Sequence, residues 1–347
     1  MSVTAPASTR RFDAGGPTLG DTGESELLRL LASIARPAEG VLVVPVGDDA
    51  AVWRPPPGED VAISQDALVE GVDFERAWIT PRALGRRALH VALSDLAGMG
   101  AVPAWCSTTL CAPAATCRDD VLEIQRGLVE AAGSIGCAVA GGDLSDTTGP
   151  LVLDVCVGGT APSGKWLTRD RGRPGDVLLV TGKPGLAAAG LAALQRDPGH
   201  GSGREQQRWV KALLEPAARI EEGRRCAASG VTCGGDVSDG LLADAQRTAD
   251  ASHCAAELWL DRIPVASSIR DAFGDAWEQL VLGGGEDFEL LIAAQHEIAA
   301  ALLRDWPAQL APLHIVGRLT GGEGVRVLDT VGGAERARPA IRSRHWR

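Results

Sequence analysis

The stretch VLVVPVGDDAAVW, Val41–Trp53, sets a pattern that the rest of the chain repeats. An apolar run ends at Gly47, two adjacent aspartates follow, and apolar residues then resume. Burying a carboxylate is unfavourable unless a charged or hydrogen-bonding partner meets it. Asp48 and Asp49 therefore allow two interpretations: a turn, in which Gly-Asp is common, or a bound cation. A single occurrence of the pattern leaves both open.

Acidic residues beside glycine recur at the predicted ends of strands and starts of helices. One such residue before a helix is most simply an N-cap, but six occurrences favour a shared purpose. Carboxylate and hydroxyl oxygens suit hard cations such as Mg²⁺, and glycine lets the backbone approach a phosphate closely. The sequence therefore predicts an acidic site for a magnesium nucleotide. The segments are GDDAA, ISQDALVEG, LSDLAGMGA, AGGDLSD, GGDVSDGLLAD and GGGEDFELL.

The composition is that of an acidic globular protein. The 347 residues carry a net charge of −11, which argues against nucleic acid or an anionic membrane as the main partner. No apolar run reaches membrane-spanning length. Eight cysteines occur without a C-x-x-C pair, which favours buried thiols in a reducing, cytoplasmic setting. Because P-loop and protein-kinase signatures are absent, phosphate handling would depend on metal ions and arginine.

Helical and strand patterns alternate along the chain, which predicts an α/β or α+β fold. Helical spacing begins at Glu24, and the helix that begins at Pro81 ends near Gly98. The polar, Gly/Pro-rich stretch SGKWLTRDRGRPGD predicts a domain boundary near Thr160. We therefore predict a flexible tail over residues 1–23, an N-terminal domain over 24–160 and a C-terminal α/β domain over 161–347.

As a set, the motifs resemble those of the bacterial thiamine-monophosphate kinases, in order and approximate spacing, from about residue 24 to 292. This family belongs to the aminoimidazole ribonucleotide synthetase-like ATP-binding superfamily. The resemblance implies a homodimer whose N-terminal mixed sheets join, and a C-terminal α/β sandwich. The segments that carry the resemblance are VGDDAAV, ISQDALVEGVDF, ALHVALSDLAGMGAVPAW, AGGDLSDTTGPLVLDVCVGG, LTRDRGRPGDVLLVTGKPG, DVSDGLLAD and GGGEDFELL.

The activity that this resemblance implies is a phosphoryl transfer. The γ-phosphoryl group of ATP would pass directly to the phosphate of thiamine monophosphate, giving thiamine diphosphate and ADP. ATP would be the co-substrate, and several Mg²⁺ ions would lie near the dimer interface. Direct transfer agrees with a site that relies on positioning and electrostatics.

The resemblance also implies roles for individual residues. The catalytic carboxylates would be those of Asp95 and Asp239. The magnesium ligands would be Asp49, Ser64, Gln65, Asp66, Asp95, Asp143, Asp236 and Asp239. The residues that contact ATP would be Gly142, Asp143, Arg169 and Ser238, and those that contact the acceptor would be Asp73, Glu286 and Trp346. Supporting or capping carboxylates would be Asp48, Asp146, Asp244 and Asp287.

Three positions depart from the family pattern. Gln65 stands where Thr is usual, Asp73 where His is usual, and Ser343 where an aromatic residue is frequent, with Trp346 as a nearby substitute. All three fall at or near the acceptor side. A related ATP-dependent enzyme that acts on another phosphate, carboxylate or amide is therefore an alternative. A non-catalytic nucleotide-binding paralogue is a third, disfavoured by the nearly complete set of carboxylates.

Overall fold

Helices and strands alternate in the computed structural model of this chain, which describes residues 10–35, 40–197 and 203–339. The described residues fall into two compact units. Unit 1 lies within Met1–Pro56, Ile63–Ala92 and Pro103–Gly159, and unit 2 lies within Pro57–Ala62, Leu93–Val102 and Thr160–Arg347. Two short segments, 57–62 and 93–102, thus group with unit 2 although the sequence assigns them to the first domain.

In unit 1, the described residues form a four-stranded sheet and a separate two-stranded hairpin. The sheet has the strand order β3-β6-β4-β5, and β4 and β5 run parallel. Some elements extend into segments that group with unit 2. The elements are α1 (Leu19–Thr22), α2 (Glu24–Ile34), β1 (Leu42–Val44), β2 (Val52–Trp53), β3 (Glu59–Val69), α3 (Pro81–Gly98), β4 (Val102–Ala112), α4 (Arg118–Ser134), β5 (Ala138–Asp146) and β6 (Val152–Pro162).

Two glycines let α3 and α4 cross closely. A Cβ atom at Gly85 would overlap the carbonyl of Ile124, and one at Gly127 would overlap the carbonyl of Arg82. Because both residues are glycine and lack a Cβ atom, the two helix backbones come into contact, and the neighbouring Leu84 and Leu128 are buried. The packing of α3 against α4 therefore explains why glycine, Gly85, stands inside the predicted helix PRALGRRALH.

Residues 10–23 make specific contacts, although the sequence predicts a flexible tail there. The Arg10 guanidinium lies 3.1 Å from Asp120 Oδ1, and the main-chain N–H of Asp13 donates to Asp120 Oδ2 at 2.8 Å. Thr18 and Asp21 form a capping box around α1. These contacts disagree with a flexible tail over residues 10–23. Arg10 supplies the charged partner that the buried Asp120 requires, so the segment is bonded to unit 1.

The apolar run GVLVVPV does not enter the core as the sequence suggests. The strand covers Leu42–Val44 and pairs with β2 in the hairpin, outside the four-stranded sheet. Val43 and Val46 are 53% and 40% exposed. A two-stranded hairpin cannot bury both of its faces, so Asp48 and Asp49 follow a surface strand and are themselves exposed.

In unit 2, the described residues form a six-stranded sheet of order β12-β9-β11-β7-β10-β8. Its neighbouring strands are antiparallel except β12 and β9. The elements are β7 (Val177–Thr181), α5 (Leu186–Arg196), α6 (Arg204–Leu214), α7 (Ile220–Ala228), β8 (Cys233–Val237), α8 (Leu241–Ala251), β9 (Ala255–Trp259), α9 (Ser267–Phe273), a 3₁₀ helix (Gly274–Ala276), α10 (Trp277–Gly283), β10 (Glu289–Ala294), α11 (His296–Arg304), β11 (Leu313–Thr320) and β12 (Gly324–Leu328).

The core of unit 2 joins this sheet to α8 and α10. Leu178, Leu258 and Leu291 of the sheet belong to one buried cluster with Leu241 of α8 and Val281 of α10. Burial of such side chains is the main favourable contribution to folding. Mixed sheets with helices confirm the predicted α/β (α+β) class.

The cysteines are free thiols, as the sequence predicts. All eight are unpaired, and six of them are buried. Among the helices of the described residues, none has both the length and the hydropathy that a membrane crossing requires.

Candidate active site

The end of α3 brings Ser94 and Asp95 to β8. A Cβ atom at Gly98 would lie 2.8 Å from the main-chain nitrogen of Asp236, so only glycine fits at this contact. On the other side, a Cβ atom at Gly223 of α7 would overlap the carbonyl of Ala97. Gly98 thus does more than end the helix, because it lets the helical turn that carries Ser94 and Asp95 approach Asp236 of β8.

Asp236 is the best-buried carboxylate among the predicted ligands. It is 4% exposed, and it accepts hydrogen bonds from Ser94 Oγ at 2.8 Å and from Arg169 Nη2 at 3.1 Å. Burial raises the pKa of Asp236, and the nearby charge of Asp95 raises it further, whereas Ser94 and Arg169 lower it. A second cation beside Asp95 and Asp236 would relieve this repulsion.

Arg169 is held in place by Gly235 and Ser252. A Cβ atom at Gly235 would lie 2.6 Å from the guanidinium carbon of Arg169, so the glycine leaves space for this side chain. Ser252 Oγ donates to the Arg169 carbonyl at 2.6 Å. The sequence suggested that glycines in these motifs allow close approach to phosphate. At Gly235, the group that needs the space is an arginine.

The 238–240 loop between β8 and α8 is organised by Asp244. This carboxylate, 1% exposed, accepts the main-chain N–H groups of Ser238 and Asp239, each at 3.1 Å. Arg247 Nη1 donates to Asp244 Oδ1 at 2.6 Å, and Arg247 also pairs with Asp239. Burial raises the pKa of Asp244 to about 6, although Arg247 opposes the shift. Asp239 itself stays about half exposed.

The 284–288 loop between α10 and β10 has an unusual backbone. Glu286 and Phe288 have φ values of 70° and 49°, in the left-handed region that non-glycine residues rarely adopt. The N–H of Glu286 donates to the Ser238 carbonyl at 2.7 Å, and that of Phe288 donates to the Val237 carbonyl at 2.9 Å. The loop that carries Glu286 is therefore bonded directly to the loop that carries Ser238.

Asp287 fixes the same loop to the start of α5. Its carboxylate accepts the N–H of Gly185 at 2.7 Å and that of Ala187 at 3.1 Å. Burial is the main cause that raises the pKa of Asp287 to about 7. The sequence gives no signal for these partners, since the helix that Asp287 caps begins about a hundred residues earlier.

In unit 1, the GDD turn presents its carboxylates to solvent. Asp48 and Asp49 are exposed, and the Asp49 N–H donates to Asp48 Oδ1 at 2.9 Å. Asp48 also lines a cavity of about 370 Å³ together with Gly142 and Asp143. Residues of α2, α4, β4, β5 and β6, most of them apolar, form much of the remaining wall. Three residues from two predicted motifs therefore meet at one cavity.

Gln65 points away from its predicted partners on β3. Side chains alternate along a strand, and Ser64 and Asp66 are half-buried whereas Gln65 is exposed. Gln65 Nε2 donates to Asp154 Oδ2 of β6 at 2.6 Å. A cation shared with Ser64 and Asp66 can therefore be reached by the main chain of Gln65, but not by its side chain.

Asp73 has a local structural role. Its Oδ2 accepts the main-chain N–H of Val69 at 2.8 Å and so closes the turn that follows β3. This bond gives a physical reason for a carboxylate where the family usually has histidine. Trp346 and Ser343 lie outside the described residues.

The donors fit magnesium in type. Within the described ranges, no group of three or more His, Cys, Asp or Glu side chains is close enough to hold a metal alone. Magnesium usually binds through one or two carboxylates and completes its shell with water and substrate phosphates. The neighbouring carboxylates of Asp95 and Asp236 supply such a pair.

Comparison with known proteins places these residues in context. The family model described as AIR synthase related protein, N-terminal domain, matches residues 47–161, and the corresponding C-terminal domain matches 173–330. Thiamine-monophosphate kinase of Bacillus subtilis (strain 168) is 30% identical over 275 residues, which cover 79% of this chain and 84% of that protein.

Solved structures are similar over nearly the whole chain. Thiamine-monophosphate kinase from Stenotrophomonas maltophilia K279a superposes with a TM-score of 0.79 and 33% identity, covering 87% of this chain and 95% of that one. AaThiL complexed with AMPPCP and TMP superposes with a TM-score of 0.71 and 27% identity, covering 88% and 93%.

Proposed function

Because this chain belongs to the thiamine-monophosphate kinase family, we propose that it phosphorylates thiamine monophosphate with ATP, giving thiamine diphosphate and ADP. The observation that carries the proposal is the cluster in which Ser94 and Arg169 hold Asp236 beside Asp95. Such a cluster combines negative charge with a fixed guanidinium, and a metal-bound polyphosphate requires both. The relative that was solved with AMPPCP and TMP supports the same pair of ligands.

Magnesium would be held by oxygen donors of the acidic motifs. When bound, it neutralises the phosphates of two anionic substrates in a protein of net charge −11. Gln65 would contribute through its main-chain carbonyl, because its side chain faces Asp154. The proposed ligands are Asp49, Ser64, Gln65, Asp66, Asp95, Asp143, Asp236 and Asp239.

The residues of this chain would act by holding the reactants in line. Asp95 and Asp239 are the proposed catalytic carboxylates, since each would orient the metal-bound phosphates. Arg169 would bind ATP from its fixed position on Asp236, without the side-chain ordering that a free arginine requires. Gly142, Asp143 and Ser238 are the other proposed ATP contacts, and Glu286, Asp73 and Trp346 are the proposed acceptor contacts.

We also propose a homodimer in the cytoplasm. Ile63 on β3 is 65% exposed, and Trp105 on β4 lies over Gly158 of β6. This open face of the four-stranded sheet would be covered by the second subunit, because exposed apolar sheet surface favours association. Eight free thiols support a reducing compartment.

The test is an end-point assay with purified protein, Mg-ATP and thiamine monophosphate. Thiamine diphosphate is measured as its fluorescent thiochrome derivative, and ADP is measured in parallel. We expect equal, magnesium-dependent amounts of both products. Asp95→Asn should abolish turnover and keep the thermal unfolding profile, and Asp275→Asn, an exposed residue of the 3₁₀ helix, is the matched control.

Two results would contradict the proposal. Absence of thiamine diphosphate while Mg-ATP still binds would move the activity to another phosphate, carboxylate or amide acceptor. Near-normal turnover of Asp95→Asn would remove Asp95 from the metal site.

A further inference from the structure

The acceptor and nucleotide sides of the proposed site lie on two adjoining loops of unit 2. We call residues 238–240 the nucleotide loop, since it carries Ser238 and Asp239, and residues 284–288 the acceptor loop, since it carries Glu286. The two loops touch through main-chain bonds from Glu286 and Phe288 to the carbonyls of Ser238 and Val237. Any displacement of one loop could therefore disturb the other unless each is fixed separately.

Each loop has its own carboxylate. Asp244 accepts two N–H groups of the nucleotide loop, from Ser238 and Asp239. Asp287 belongs to the acceptor loop and accepts two N–H groups from Gly185 and Ala187, at the start of α5. The two anchors use different partners on different helices, α8 and α5.

The acceptor loop needs an anchor more than an ordinary loop does. Left-handed φ values at Glu286 and Phe288, on both sides of Asp287, are unfavourable for residues with a Cβ atom. Such a backbone persists only where surrounding bonds fix it. A Cβ atom at Gly285 would lie 2.7 Å from the Ser238 carbonyl, so the loop also has little room to relax toward the nucleotide loop.

We propose that Asp287 is a positioning residue for the acceptor and Asp244 is one for the nucleotide, so that the two substrates are oriented by independent anchors. This inference rests on the proposed function for the names of the ligands. Asp287 would hold Glu286 in its left-handed conformation through α5, and Asp244 would hold Ser238 and Asp239 through α8. Neither carboxylate needs to touch a substrate.

The experiment compares Asp287→Asn and Asp244→Asn, with Asp275→Asn as an exposed control. An amide keeps the shape of the carboxylate but presents one acceptor oxygen. Asp287 accepts its two N–H groups on different oxygens, so Asn there loses one bond. Asp244 accepts both loop N–H groups on Oδ2, so Asn there loses the negative charge behind both bonds and the bond of Oδ1 with Arg247. The KM for thiamine monophosphate is measured at saturating Mg-ATP, and the Kd for a non-hydrolysable ATP analogue with Mg²⁺ is measured by calorimetry. If Asp287→Asn does not fold, Asp287→Ser, which keeps one acceptor oxygen, takes its place.

We expect opposite patterns in the two variants. Asp287→Asn should raise the KM for the acceptor roughly tenfold and change the Kd of the analogue by less than about twofold. Asp244→Asn should weaken the analogue roughly tenfold and change the acceptor KM by a smaller factor. Equal changes of both constants in both variants, or a lower Tm with both constants unchanged, would overturn the proposal.

Amide hydrogen exchange tests the anchors without catalysis. Exchange should accelerate at residues 185–187 and 284–288 in Asp287→Asn, and at 238–239 in Asp244→Asn. If the wild-type protein makes no thiamine diphosphate, the proposed function fails, and these exchange patterns alone decide whether the anchors are independent. Acceleration in both loops from either substitution would refute independence.

Discussion

The predicted ligands of unit 2 and unit 1 are held in opposite ways. In unit 2, Asp236 is 4% exposed and bonded to Ser94 and Arg169, and a further carboxylate, Asp244, organises the loop beside it. In unit 1, Asp49 and Asp143 are exposed. Asp236 is thus a desolvated, hydrogen-bonded ligand, whereas Asp49 and Asp143 are solvated, and Ser64, Asp66 and Asp95 are intermediate in burial.

This difference has a consequence for stability. A buried carboxylate with another carboxylate nearby is unfavourable for the fold until a cation arrives. An exposed carboxylate keeps its water and affects the fold little. We therefore expect substitution of the buried Asp236 to change stability and function together, whereas substitution of an exposed carboxylate such as Asp49 should change function alone.

The largest effect is expected from Asp236→Asn compared with Asp49→Asn. Both should lower kcat on the order of 10²–10³-fold, because each removes a charge proposed to act on the phosphates. Without Mg²⁺, Asp236→Asn should raise Tm by roughly 1–3 °C, since it relieves burial of charge and repulsion by Asp95. Asp49→Asn should leave Tm unchanged. Calorimetric scans in EDTA measure both Tm values. Equal shifts of Tm in the two variants would contradict the expected difference between the buried and the exposed carboxylate.

A pair of glycine substitutions should give the next largest effect. Gly235→Ala places a Cβ atom 2.6 Å from the Arg169 guanidinium, so overpacking should cost about 1–3 kcal/mol and weaken nucleotide binding. Gly47→Ala meets no atom within 4 Å, but its φ of +129° should cost about 1 kcal/mol. Urea unfolding and calorimetry with an ATP analogue measure both quantities. Unchanged nucleotide affinity in Gly235→Ala would show that Arg169 does not contact ATP.

The pH dependence of stability is the third test. Because burial raises the pKa of Asp244 to about 6 from 3.8, the folded state keeps a proton that the unfolded state has released. The free energy of unfolding therefore falls as pH rises from about 4 to about 6, on the order of 1–3 kcal/mol for this group.

Asp244→Asn should remove that contribution. The free energy of unfolding of the variant, relative to wild type, should rise over the same pH interval, as measured by urea unfolding without Mg²⁺. Thr248→Val, a buried position on the same helix without a titratable group, is the control and should give a difference that does not vary with pH. If the difference in free energy of unfolding between Asp244→Asn and wild type did not change with pH, the fold would not raise the pKa of Asp244.

The smallest effect is expected from Gln65→Thr. This change restores the usual family residue and removes the bond to Asp154, a partly exposed contact that should contribute less than about 1 kcal/mol. Turnover should stay within about twofold of wild type if Gln65 serves the metal through its main chain. A tenfold change in the Mg²⁺ requirement would instead show that the side chain takes part.

Local patterns predicted most elements because periodicity is a property of neighbouring residues. The segment EDVAISQDALV coincides with β3, Glu59–Val69, and the helix that begins at Pro81 ends at Gly98. The β-type run GVLVVPV does contain a strand, Leu42–Val44, but Val43 and Val46 are exposed, because an apolar run does not reveal whether a second layer will cover it. The face of Gln65 follows from strand alternation, so the sequence contained that signal although the ligand prediction did not use it.

The sequence by itself determined the chemistry of the candidate site: oxygen donors, glycines and an arginine on the ends of strands and helices. The tertiary structure decided which of these groups are buried, paired and strained. Asp287 meets Gly185 only because β10 pairs with β7 and brings the two ends together across 102 residues. Burial and long-range pairing depend on the whole packed unit. The burial and the pKa shift of a carboxylate such as Asp236 could therefore not be obtained from its neighbours in the chain.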